Sequence, residues 1–170
     1  MIAVSMNYRL GLWGFLSTPE TLAEGSTNAG LMDQQMAFRW IQENIGAFGG
    51  DPKRVTLWGV SAGAQSIGLH LHAFGGRDHG LFQGAIMESG GPVGTALQEL
   101  KFYDGPFEHL TKTHGCYSAT NRLACLRSVS SQDLFQKKIS KLWNPLVGKA
   151  MLRDKTTSIT EFWHRWNISH

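Results

Sequence analysis

Residues 55–74 hold the feature that most restricts what this chain can fold into. Val55-Thr56-Leu57-Trp58-Gly59 is a short apolar run of strand type. It leads directly into Gly59-Val60-Ser61-Ala62-Gly63, and a helical pattern follows from about Ala62 to Phe74. Strand, G-x-S-x-G, helix is the context of a nucleophile elbow, in which a serine sits on a tight, strained turn. Side chains at Gly59 and Gly63 are expected to collide with neighbouring elements. The helix start behind Ser61 aims its dipole and N–H groups at the turn, so the Ala62 N–H is placed to stabilise an oxyanion. A run of small residues that merely lets a helix pack closely on a strand would look alike over five residues. The flanking strand and helix decide for the elbow.

The elements around this motif alternate. Residues 2–7 alternate in polarity and are rich in β-formers, which predicts a strand, and the chain then turns through Gly11 and Gly14. Asn28-Ala29-Gly30 precedes a helical pattern over roughly 31–47, with Leu31, Met36, Phe38, Trp40, Ile41 and Ile45 as its apolar positions. Gly49-Gly50-Asp51-Pro52 stops it, because glycines and proline do not continue a helix. Gly84-Ala85-Ile86-Met87-Glu88 reads as the next strand. Strand–helix–strand–helix–strand predicts an α/β fold, a mostly parallel sheet with right-handed crossover helices. Further helices are expected near 98–114, 119–127 and 131–140. Trp13, Trp40 and Trp58 lie on packing elements and are expected in the core rather than as substrate-stacking groups.

Several function classes fall away on composition. Of 170 residues, 42% are hydrophobic and 17% charged, which fits a globular chain with a real core. The net charge of +3 is scattered, and Lys137, Lys138 and Lys141 read as a solvated helix face. Nucleic-acid binding would want a broader basic stripe. No apolar stretch reaches the length of a membrane span. Met1 to Asn7 has neither the charged region nor the cleavage site of a signal peptide, and it reads as a strand with no run-up. Cys116 and Cys125 are two buried thiols or a local disulfide, and spacing does not choose between them.

A second layer of motifs surrounds the serine. Asn7-Tyr8-Arg9-Leu10-Gly11, Gly14-Phe15-Leu16, Asn28-Ala29-Gly30-Leu31-Met32-Asp33-Gln34, Asn44-Ile45, Phe48-Gly49-Gly50-Asp51-Pro52 and Glu88-Ser89-Gly90 occur in that order around it. With these motifs the chain resembles the type-B carboxylesterases, the cholinesterase-like and fungal lipase-like family of the α/β-hydrolase fold. They cover residues 2–95, and the position of the cysteine pair extends the likeness to about residue 147. The resemblance implies a partial α/β-hydrolase domain over 2–147, incomplete at both ends, with a divergent tail at 148–170. It implies Ser61 as nucleophile and Ala62 as an oxyanion-hole donor. Gly59 and Gly63 would form the elbow, and Ser89 and Gly90 would border the acyl pocket. Arg9 and Asp33 match a pair that forms a buried structural ion pair in relatives, and Cys116 and Cys125 match a small disulfide loop. No cofactor or metal is implied. The partner of an intact relative would be a small-molecule or lipid ester.

The departures matter as much as the matches. Val60 stands where the family normally has glutamate, a carboxylate beside the catalytic histidine. The resemblance puts the remaining oxyanion donors upstream of the first strand, and the acid and histidine far downstream. His70 and His72 lie two and three turns along the helix from Ser61 and point away from its hydroxyl. These two and His79, His109, His114, His164 and His170 are read as packing or surface groups, not as a base. A serine without a base is a poor nucleophile. The expectation is therefore a serine esterase fragment with little or no turnover. The alternatives are a non-catalytic cholinesterase-like interaction domain and a truncated gene product without function. The family is often secreted, yet the sequence leaves the compartment open. Asn167-Ile168-Ser169 fits a glycosylation sequon in the tail.

Overall fold

The computed structural model describes residues 1–77, 79–93 and 98–136. At its centre lie two parallel strands, β1 (Thr56–Val60) and β2 (Gly84–Glu88), paired in register from Thr56 opposite Gly84 to Val60 opposite Glu88. Parallel strands need a crossover, and it is made by one helix, Ala62–His72. Three helices precede β1 in the chain: α1 (Gly11–Phe15), α2 (Pro19–Ala23) and α3 (Ala29–Asn44). The crossover is therefore α4, and α5 (Asp104–Thr113), α6 (Arg122–Ser128) and α7 (Ser131–Gln136) follow β2.

Local chemistry explains most boundaries. Helix α3 runs into a 3-10 turn at Ile45–Phe48 and stops at Gly49, whose φ of 78° only glycine adopts easily. Asp51 then accepts from the Lys53 amide at 2.9 Å, and Pro52 opens a short turn before β1. Helix α2 starts on a capping box, with the Thr18 hydroxyl on the Thr21 amide and the Thr21 hydroxyl on the Thr18 amide. Pro19 occupies its first turn, where a missing N–H costs nothing. The Thr18-Pro19-Glu20-Thr21 string is the sequence signal for this cap.

The core has three parts. Phe38 of α3, Leu57 of β1 and Ile67 of α4 meet Leu81 and Phe82 beneath the sheet. Phe15, Leu31, Leu69 and Ala73 join α1, α3 and α4. Tyr103, Phe107, Leu110, Cys116, Leu123, Leu126 and Leu134 form a helical unit over α5–α7. That unit is tied back to α2 by the Arg122–Glu20 and Arg127–Glu24 ion pairs.

Three expectations change here. Residues 2–7 are not a strand: they lie outside any sheet, with Ile2 44% and Val4 47% exposed and Met6 leaning on the core. A strand is a property of a pair, and the only strand paired with β1 among the described residues is β2. A cavity of about 860 Å³ lies between β1 and Met1, Ile2, Val4 and Met6. The tryptophans are not core either, since Trp13, Trp40 and Trp58 are 42%, 46% and 70% exposed. Strand alternation gives the inward place to Leu57 and turns Trp58 to the open face, where its indole N–H donates to Glu88 at 2.7 Å. On α3 and the turn that follows it, Leu31, Phe38, Ile41 and Ile45 are buried, but Met36 and Trp40 face out and Gln34 and Gln35 take inward positions. Lys137, Lys138, Lys141, His164, His170, the sequon and the 147/148 boundary lie outside the described residues.

Candidate active site

Ser61 occupies the one-residue turn between β1 and α4 with φ 53° and ψ −116°. A positive φ is unusual for a residue with a side chain, and this combination lies outside the left-handed helical well. Such a conformation costs about 1–3 kcal/mol and persists only where the surroundings hold it. The restraints are visible. The Ser61 N–H donates to the Glu88 carbonyl at 2.8 Å, and the Gln65 N–H donates to the Ser61 carbonyl at 2.9 Å. The side chain itself stays exposed at the sheet's C-terminal edge.

The glycines around it divide by role. A Cβ on Gly59 would sit 2.6 Å from the Gly63 carbonyl carbon and 2.9 Å from the Ala64 nitrogen, so no larger residue fits between β1 and α4. Gly63 behaves differently: an added Cβ there meets nothing within 4 Å, because this side of the helix faces the cavity beside β1. The expected collision at Gly63 is thus absent. Gly90 is closed by the Ser61 carbonyl at 2.7 Å and the Ala64 side chain at 3.0 Å. With Ser89 at φ 52°, the loop after β2 folds tightly over the start of α4. Ala62 is the first residue of α4 and carries one of the N–H groups a helix leaves without an internal acceptor.

The histidines are otherwise engaged. His70 is 6% exposed, its Nε2 lies 2.8 Å from Gln34 Oε1, and burial pushes its pKa down to about 4. His72 donates through Nδ1 to the Gly68 carbonyl at 2.8 Å. His79 and His109 are exposed, and His114 is half-buried in the α5–α7 unit. None of the described hydrogen bonds joins Ser61 to a histidine. Val60 ends β1 with its side chain 56% exposed, so nothing acidic stands at that position.

The remaining expected groups are structural in setting. Arg9 and Asp33 form a bidentate pair, Nη2–Oδ1 2.6 Å and Nε–Oδ2 2.8 Å, with the Arg9 amide on Oδ2 at 3.0 Å. The hydrogen bond from Arg9 holds the Asp33 carboxyl below its usual range. The pair is not buried, as the two side chains are 56% and 24% exposed, because it lies along the outer flank of α3. Cys116 and Cys125 are joined as a disulfide. Gln34, the last residue of a motif named above, and Ser66 carry no role that the sequence shows, yet both are buried polar residues on packing helix faces.

The comparison with known proteins decides the lineage. The carboxylesterase family profile matches residues 1–163. The chain belongs to the carboxylesterase family. It is 43% identical over 142 residues to Lipase 4 of Diutina rugosa, covering 80% of this chain and 26% of that protein. It is 42% identical over 138 residues to Secreted lipase 1 of Botryotinia fuckeliana, covering 79% and 24%. Among solved structures, Aspergillus niger EstA superposes with a TM-score of 0.70 at 42% identity, over 75% of this chain and 24% of that one. The two parallel strands with their crossover helix are thus part of an α/β-hydrolase fold, and this carboxylesterase chain spans about a quarter of the length of these relatives. No helix among the described residues is long and apolar enough to cross a membrane.

Proposed function

We propose that this chain carries the nucleophile segment of a serine carboxylic ester hydrolase, with Ser61 as nucleophile. The observation that carries the reading is the backbone of Ser61, which bears a left-handed φ at an exposed strand-to-helix turn. That conformation brings the hydroxyl clear of the sheet edge and sets the Ala62 N–H beside it. In the reaction, Ser61 Oγ attacks the ester carbonyl carbon and gives up its proton. The carbonyl oxygen becomes an oxyanion beside the Ala62 N–H, the alcohol leaves with a proton, and water resolves the acyl-enzyme. Ser89 and Gly90, packed on the turn, border the acyl side. The substrate is a small-molecule or lipid ester, the class suggested by relatives named as lipases.

The same site predicts a slow enzyme. No histidine is hydrogen-bonded to Ser61 among the described contacts, and Val60 supplies no carboxylate to influence one. Sites stripped of a base keep only the part of the acceleration that binding and oxyanion stabilisation provide. A fluorophosphonate probe, read by peptide mass spectrometry, tests both halves of the reading. Slow labelling at Ser61 that disappears in Ser61→Ala is expected. Label that persists in Ser61→Ala removes the nucleophile assignment, and fast stoichiometric labelling removes the claim of low turnover.

A further inference from the structure

Three buried polar side chains form a line that ends at the nucleophile turn. His70 Nε2 lies 2.8 Å from Gln34 Oε1, Gln34 Nε2 lies 3.2 Å from Ser66 Oγ, and Ser66 Oγ lies 2.8 Å from the Ala62 carbonyl. All three residues are under 9% exposed, at 6%, 4% and 8%. Ser66 and His70 are four residues apart on α4 and so share the face that meets α3. The Phe38 ring stands edge-on to the imidazole at 5.0 Å and closes that side.

The last bond fixes the direction of the others. A peptide carbonyl only accepts, so the Ser66 hydroxyl spends its proton on Ala62 and must accept from Gln34. The Gln34 amide nitrogen therefore faces Ser66 and its oxygen faces His70. His70 must then carry its proton on Nε2. Every donor points toward the start of α4, an arrangement in which each bond strengthens the next.

We propose that His70, Gln34 and Ser66 are positioning residues that hold the first turn of α4, and with it the Ala62 N–H, in place beside Ser61. The inference rests on the reading of Ser61 as nucleophile and Ala62 as oxyanion donor. Packing against Gly59 and Gly90 holds one side of this turn, but the Gly63 side faces the cavity and has nothing within 4 Å where a side chain would be. The Ser61 carbonyl is held by the Gln65 amide. Its neighbour, the Ala62 carbonyl, accepts the helix bond from the Ser66 amide and a second bond from the Ser66 hydroxyl at the end of the relay, so the relay reinforces the peptide that follows Ala62. The anchor at the far end is α3, through Gln34. Burial keeps the His70 ring neutral near pH 7, so no charge enters the line there.

The test uses the 170-residue chain with ¹³C,¹⁵N labelling and the fluorophosphonate probe. In the wild type, the His70 ring nitrogen shifts should show the proton on Nε2 from pH 6 to 8. Ser66→Ala and Gln34→Leu should both move the Ala62 carbonyl ¹³C signal in the direction of a lost hydrogen bond, and Ser66→Thr should restore it. Each break should slow labelling of Ser61 about tenfold, and the double variant should be no slower than either, since one line is cut twice. A proton on Nδ1, an unmoved Ala62 carbonyl in Ser66→Ala, or multiplied effects in the double variant overturn the proposal. A wild type that takes no label refutes the ester hydrolase reading alone, and the tautomer and carbonyl signals still decide the relay. The wild-type tautomer and Ser66→Ala decide equally if Gln34→Leu does not fold.

Discussion

Two glycines and one serine show how much a single position can carry. Ser61 is held in a conformation that glycine would adopt more readily, and that it keeps a side chain there is what the nucleophile proposal rests on. Gly59 and Gly63 look equivalent in the pentapeptide and are not. Gly59→Ala drives a Cβ to 2.6 Å from backbone that cannot move without shifting α4. It should lower stability by about 1–3 kcal/mol, read as a fall in the urea midpoint. Gly63→Ala meets open space in a helix, where alanine is favoured by about 0.5–1 kcal/mol, so its midpoint should hold or rise. Equal losses in the two variants would contradict the geometry. The sequence could name both glycines but not separate them, because the difference is the cavity on one side of the helix.

At the scale of elements, periodicity succeeded where a neighbour completed the pattern and failed where none did. Strands β1 and β2 and helices α3 and α4 fall within a few residues of their expected limits. Residues 2–7 had the same alternation and formed no ladder, since no strand among the described residues pairs with them. Helices α5 to α7 pack chiefly on one another and on the Cys116–Cys125 bridge. Opening that bridge in a Cys116→Ala/Cys125→Ala double variant should cost about 2–3 kcal/mol, as expected for a short closed loop. Hydrogen exchange should quicken in peptides from α5 and α6 and stay unchanged in α3 and α4. Uniform quickening would show that the helical unit and the elbow unfold together.

Across the whole molecule, the charges make the fold sensitive to acid. His70 is held neutral, with its pKa near 4 against an ordinary 6.5, so the unfolded chain binds its proton first. Its contribution is full above pH 6.5 and is lost as pH falls toward 4. The gap corresponds to about 3 kcal/mol. Asp33 and Glu24, drawn down by hydrogen bonds from Arg9 and Arg127, lose theirs at lower pH, as it falls through their depressed folded values. The urea midpoint should therefore drop between pH 7 and pH 5, and His70→Gln should flatten that drop. An unchanged slope in His70→Gln would mean that the imidazole is not buried. What the sequence determined by itself was local: the strand–G-x-S-x-G–helix signal, the stop at Gly49-Gly50-Asp51-Pro52, and the order of motifs shared with the carboxylesterases. The first two depend on backbone geometry within one short segment, and short segments report their own sterics; the third is a set of such segments read in order. The tertiary structure alone decided that Trp58 faces outward, that residues 2–7 stand unpaired, and that Gln34, Ser66 and His70 line up behind the Ala62 carbonyl. The partners that decide this, Glu88 for Trp58 and Gln34 for both Ser66 and His70, stand thirty or more positions away, so no short window along the chain contains them.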